Sequence, residues 1–259
     1  MNEMAELFYS IGEPFAAGLF EEPQKGYFYR YACAYARYFE NLRPAEYIKG
    51  DLLYPRRTGF FDTSIAMRPQ FARTYQVNWE LLESKSAEAA GKLRKFTEIS
   101  NDFANWDIMK QMHPEVKDAL REHPDIPEYF DAYTHAAPNY KRILAEGLDS
   151  YRLRAAAAED AEFREGLLLL LDAMKQYIDR SVEYLKHADA PEELISAMEQ
   201  VPFAPAKTYY EGLVAWNLIF YFDGGDNLGY LDNGLAHLYA GEDLTEVIRQ
   251  MFENIDALD

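Results

Sequence analysis

The sequence is short of cysteine, of positive charge and of long apolar runs, and each shortage excludes a class of protein. One thiol, Cys33, occurs in 259 residues, so no internal disulfide can form and an oxidising compartment is not supported. Only 26 Lys and Arg stand against 44 Asp and Glu, a formal charge of −18. That field repels a duplex or an anionic membrane, so neither nucleic acid nor a lipid surface is an expected partner. The longest dense apolar stretch, residues 213–222, is half the ~20 residues that a bilayer crossing needs. The first residues have neither a basic region nor an apolar run, so no secretory signal is expected and the location is read as cytoplasmic.

Recognisable catalytic signatures are missing too. There is no Gly-x-Ser-x-Gly elbow, no Gly-Lys-Ser/Thr phosphate loop, no His-Glu-x-x-His and no cysteine pair. The Asp223-Gly-Gly-Asp-Asn227 run invites a calcium reading. It fails because Leu228 stands where the cation loop needs glycine and no closing Glu follows. No metal site is expected.

What is present is apolar and aromatic. Hydrophobic residues make up 49% of the chain, with 20 Tyr, 16 Phe and 3 Trp, enough for a sizeable core. Residues 1–24 read as an irregular lead-in, and residues 25–259 as a single, mostly helical domain. A helix from near Gly26 would carry the stripe Phe28, Tyr31, Tyr35, Tyr38, Phe39 and Leu42 and end by Pro44. Cys33 lies within it as a small buried hydrophobe. Between Pro44 and Tyr75 the chain reads as irregular, and Arg56, Arg57, Arg68 and Arg73 would pair with surface carboxylates or collect an anion. One or two short helices are expected in 76–100, and loops through 101–127.

The second half has stronger periodicity. Pro138 suits a first helical turn, with Tyr140, Ile143, Leu144, Leu148 and Tyr151 following at helical spacing. A long helix is expected over 160–187. Asp189 to Glu192 and Asp243 to Glu246 resemble capping boxes for the helices after them. Residues 209–222 are apolar nearly all round, the mark of a helix buried on most sides. Residues 223–233 form a Gly- and Asx-rich turn, and the last helix should bury Leu244, Val247, Ile248, Met251 and Ile255. No run alternates cleanly enough for a strand, so the fold class is mainly α.

Two places could touch a ligand. In the turn after the buried helix, Asp226 and Asn227 could bind hydroxyl or amide groups; equally, Asx side chains could serve local backbone donors. His135, just before the helix near Pro138, could contact a ligand or fix the turn by donating to a carbonyl.

Those places also carry a resemblance. Thr134-His-Ala-Ala-Pro-Asn-Tyr-Lys-Arg-Ile-Leu144 resembles the Gly-His-x-x-Pro-Asp-Tyr-x-x-x-Leu segment of the pyruvate formate-lyase-type glycyl radical enzymes. Pro202-Phe-Ala-Pro-Ala-Lys-Thr-Tyr-Tyr-Glu-Gly-Leu-Val-Ala-Trp216 is similar to their Pro-x-x-Pro-Ala-x-Thr-Phe-Tyr-Glu-Ala-Leu-Gln-x-x-Trp. Gly229-Tyr-Leu-Asp-Asn233, with Leu238 and Tyr239 after it, is similar to their Gly-Arg-x-Asp-Gln-x-Leu-Tyr. Weaker echoes are Tyr47-Ile-Lys-Gly-Asp-Leu-Leu53 and Asn78-Trp-Glu80, and the order agrees over about residues 45–259.

The resemblance implies the helical N-terminal portion of an α/β barrel enzyme. In that family a loop cysteine and a radical-bearing glycine meet at the barrel centre, and a radical-SAM iron–sulfur enzyme installs the radical. Members cleave 2-oxo acids with acyl transfer, as formate C-acetyltransferases do, or dehydrate diols, and many are homodimers. By resemblance, His135 matches a histidine that contacts substrate hydroxyls in diol-dehydrating members, and Asp226, Asn227 and Asp232 fall in a substrate-lining stretch. Tyr230 and Asn233 depart from the family's Arg and Gln. The catalytic cysteine and glycine loops would lie beyond Asp259, and Cys33 is misplaced to substitute. The expectation is therefore a pocket-contributing part, inactive alone, that holds no cofactor and docks a C-terminal barrel half, exposing an apolar patch where that half would sit. The alternative is a stand-alone helical binding or regulatory module derived from the fold.

Overall fold

The computed structural model describes residues 21–56, 138–222 and 228–256, together with Pro14, Gly18 and Ala87. Among these residues there are helices and turns and no strand. The lead-in, expected to be irregular, has helical backbone at Pro14, Gly18 and Glu21. The helices expected in 76–100 and the loops of 101–127 lie almost wholly outside the described residues, as do Arg57, Arg68 and Arg73.

The first helix, α1, spans Tyr27–Asn41. Ala32, Cys33, Ala34 and Ala36 are at most 4% exposed, and so are Tyr38 and Phe39. Of the aromatic stripe read from the sequence, Tyr38, Phe39 and Leu42 are buried, Tyr31 and Tyr35 are half-buried against the core, and Phe28 is exposed. Ala32 lets α1 lie close along the long helix α4, Ala161–His187. A Cβ on Gly166 would come 3.2 Å from Ala32 Cβ and 3.3 Å from Tyr29 Cα. Phe28 meets Phe163 near one end and Phe39 meets Tyr177 farther along, so the two helices run parallel. At the far end the Arg180 guanidinium donates to the Phe39 and Leu42 carbonyls, which closes the C-terminus of α1.

Pro138 lies outside the helix it was expected to open. Asn139 is the cap, its side chain accepting from Arg142 N–H, and α2 spans Tyr140–Glu146. Gly147, at φ 72°, breaks the periodic run and α3 continues over Leu148–Ala156. Only glycine fits there, since a Cβ would sit 2.1 Å from the Phe203 carbonyl oxygen.

Helix α4 begins where expected, with Asp160 accepting from Phe163 N–H. Its end overturns the first capping-box reading. Asp189 sits in the left-handed region at φ 52°, and Ala190 N–H donates to the Leu185 carbonyl, so Asp189 terminates α4. Helix α5, Glu192–Gln200, starts behind Pro191 without a side-chain cap. A side-chain cap is instead at α6, Tyr209–Phe222: Thr208 Oγ accepts from Glu211 N–H, and the Glu211 carboxylate accepts from Lys207 N–H, one residue before the cap. All of α6 is buried except Tyr209 and Glu211, as its apolar circumference requires.

Asp232 and Asn233, read as part of a turn, belong to the short helix α7, Leu231–Leu235, which runs into a 3-10 turn, Ala236–Leu238. In the last helix, α8, Thr245–Asp256, Asp243 serves Thr245 N–H two residues on, not Glu246 three residues on. The buried positions of α8 are Val247, Gln250, Met251 and Asn254, two of them polar.

Candidate functional site

The described parts of the three motif segments converge on the indole of Trp216. The Trp216 ring stacks on Tyr140 with centroids 4.1 Å apart and planes within 1°. Its Nε1–H donates to the Leu228 carbonyl at 3.0 Å. Two glycines lie against this ring pair. Gly229, at φ 67°, sits on the Tyr140 ring, and a Cβ on Gly234 would come 2.2 Å from the Trp216 ring. Backbone pairing joins the segments again: Leu148 N–H donates to Pro202 O, Asp149 N–H to Phe203 O and Ala206 N–H to Leu144 O. The residues bordering both expected ligand-contacting stretches are thereby held together, Tyr140 after the first and Leu228 after the second.

His135, Asp226 and Asn227 lie outside the described residues. Asp232 is described: it is exposed, in the first turn of α7, where a carboxylate complements the helix N-terminus. Tyr230, in place of the family's arginine, is 81% exposed.

Sequence reasoning missed a second polar assembly. The Gln250 side-chain oxygen accepts from both Leu52 N–H and Leu53 N–H, at 2.6 and 2.7 Å. Its Nε2 donates to Asp51 Oδ1 at 2.8 Å. Tyr210 Oη donates to Leu52 O, and Asn217 Nδ2 donates to Pro55 O. Three side chains, Tyr210 and Asn217 on α6 and Gln250 on α8, thus satisfy backbone that has no regular structure of its own. Arg56, which leaves this clamp, pairs with Asp51 at 3.5 Å and Glu253 at 3.9 Å. Pairing with carboxylates, one of the two roles expected of the arginines, is what Arg56 does. Burial pushes the Asp51 carboxyl above its ordinary value, and Arg56 only partly opposes this. Polar residues amid an apolar helical stripe, as Gln250 and Asn254 are, were the available signal; the partners of Gln250, far away in the sequence, were not readable.

Cys33 is 2% exposed, and its thiol donates to Glu21 at 3.6 Å. Burial and the neighbouring carboxylate push it up to about 11, which keeps it protonated and poorly nucleophilic at neutral pH. Among the described residues no three His, Cys, Asp or Glu side chains group to hold a metal ion, and no helix is long and apolar enough to cross a membrane. Exposed large apolar side chains among them are Phe28, Ile48, Leu153, Phe163, Tyr230, Tyr239 and Phe252.

No protein-family model and no curated protein sequence matches the chain. Solved structures do. One is from Roseburia inulinivorans, described for 1,2-propanediol dehydration and its substrate and enantiomer selectivity. It is 17% identical with a TM-score of 0.69, the match covering 98% of this chain and 38% of that one. The B12-independent glycerol dehydratase of Clostridium butyricum, in its glycerol-bound form, is 14% identical with a TM-score of 0.65, over 99% of this chain and 39% of that one. A glycyl radical enzyme of Archaeoglobus fulgidus is 15% identical with a TM-score of 0.58, again over 99% and 39%. The chain therefore has the fold of part of the glycyl radical enzymes and spans less than two fifths of the length of the solved chains it is similar to.

Proposed function

We propose that the chain is the N-terminal, pocket-contributing part of a glycyl radical enzyme of the formate C-acetyltransferase or diol dehydratase kind, acting on a small-molecule substrate. The observation that carries this reading is the likeness in fold over nearly the whole chain to about two fifths of three such proteins. The clustering of the three motif segments around Trp216 supports it, because a shared pocket needs those segments adjacent.

In this reading His135 contacts a substrate hydroxyl, and Asp226, Asn227 and Asp232 line the same pocket. The stored radical belongs to a glycine, and the abstracting thiyl to a cysteine, both outside these 259 residues. Cys33 is buried in α1 beside Glu21 with a raised thiol, so it does not take that role. The remaining partners are a C-terminal barrel half, a radical-SAM activating enzyme and a second copy of the enzyme.

The test is anaerobic activation of the product of the whole native reading frame, followed by electron paramagnetic resonance. An organic radical signal is expected, and turnover of a diol or 2-oxo acid should be lost in His135→Ala while the signal persists. No organic radical in that product would sink the proposal; so would turnover by the 259-residue chain alone.

A further inference from the structure

The only Asn-Gly pair in the sequence is Asn233–Gly234 in α7, where Asn233 is exposed and Gly234 is buried. In such a pair the glycine nitrogen is the least hindered nucleophile available to an asparagine side chain. Attack of Gly234 N on Asn233 Cγ expels the side-chain nitrogen as ammonia and closes a succinimide ring. Water then opens the ring to aspartate or to isoaspartate, in which the chain runs through the β-carboxyl.

The fold opposes this chemistry in three ways. Gly234 N–H is committed to the Tyr230 carbonyl at 3.1 Å. Asn233 has helical backbone, and ring closure requires its ψ to leave that range so that the nitrogen can face Cγ. Gly234 is pressed against the Trp216 ring, with no room even for a methyl group. Leu235 and Leu238 hold the turn from the other side, since a Cβ on Gly212 would come 2.7 Å from each.

We propose that Asn233 is a latent deamidation site, kept unreactive by the seating of Gly234 under Trp216 and released when the α7 turn opens. The change is one-way. An isoaspartyl linkage adds a backbone carbon between residues 233 and 234, so Gly234 cannot return to its seat against the ring. This inference rests on the geometry of α7 and is independent of the catalytic reading above.

The experiment is incubation of the protein in mildly alkaline buffer, with peptide mapping by mass spectrometry to follow conversion at Asn233. Conversion in the folded protein should be about tenfold or more slower than in the same chain in concentrated urea. Leu238→Ala, which loosens the turn and leaves the indole in place, should speed it several-fold under folding conditions. Equal rates in buffer and urea would overturn the proposal, as would a folded Leu238→Ala protein that converts no faster than the parent.

Discussion

The α1–α4 seam and the surroundings of α6 are both well buried, and they are built from opposite materials. Along the seam, Ala32, Ala36, Gly166 and Ala173 let two parallel backbones approach closely, and the larger rings sit at its margins. Around α6 the space is filled by the Trp216–Tyr140 stack, and irregular backbone is tied down by Gln250, Asn217 and Tyr210. The seam is a matter of shape along one axis. The α6 region joins segments that are far apart in sequence, and its specificity comes from directional bonds as well as shape. Perturbing the seam should therefore cost stability alone, whereas perturbing α6 should also disorganise the segments that border the proposed pocket.

The largest effect is expected at the hub of the second region. Trp216→Ala removes the ring shared by Tyr140, Gly229 and Gly234 and strands the Leu228 carbonyl. It should cost about 3–5 kcal/mol in urea denaturation, near the top of the range for buried aromatics. A cost below about 1 kcal/mol would mean the convergence is incidental.

Overpacking should break the seam. Gly166→Leu forces a side chain into Ala32 and the Tyr29 backbone and should cost about 1–3 kcal/mol. Unlike Trp216→Ala, it should leave hydrogen exchange over residues 228–235 unchanged, and comparing the two variants would sharpen the contrast.

Gln250→Leu should cost about 1–3 kcal/mol, because it leaves the Leu52 and Leu53 N–H groups without an acceptor. Hydrogen exchange at those two amides is the direct readout: it should accelerate sharply in the variant. Unchanged exchange would show that the clamp is not what orders the segment.

The smallest effect concerns Asp51. Its carboxyl titrates above the ordinary value in the folded state, so the folded protein holds this proton more tightly than the unfolded chain. Its contribution to stability is therefore greatest below the ordinary carboxylate range and declines as pH rises through the raised value. Asp51→Asn should remove that decline, so that parent and variant differ in the slope of stability against pH across that window. Urea midpoints measured at several pH values would reveal it, and identical pH profiles would contradict the buried, weakly compensated carboxylate described here.

Helix existence was legible where local chemistry decided it. The 27-residue α4, its Asp160 cap and the all-round burial of α6 follow from periodicity, a side-chain acceptor and an apolar circumference. Caps were less legible, because the same short pattern is compatible with different registers. Asp189 ends one helix instead of opening the next, whereas Thr208 and Glu211 cap α6. The buried face of α1 was legible at Tyr38, Phe39 and Leu42, but the exposure of Phe28 was not, because closeness to α4 favours a small side chain such as Ala32. Of the four expected pocket residues, His135, Asp226 and Asn227 lie outside the described residues, and Asp232 is exposed at the start of helix α7.

Composition and spacing alone determined that this chain is acidic, helical and poor in thiols, and that its motifs run in the order of the glycyl radical enzymes, because these are properties of neighbours along the chain. Only the tertiary structure decided that Tyr140, Trp216 and Gly234 share one ring contact, or that Gln250 reads the backbone of residue 52. Such pairings depend on the relative placement of whole helices, and no local pattern encodes the distance between residues that meet only after the chain has folded.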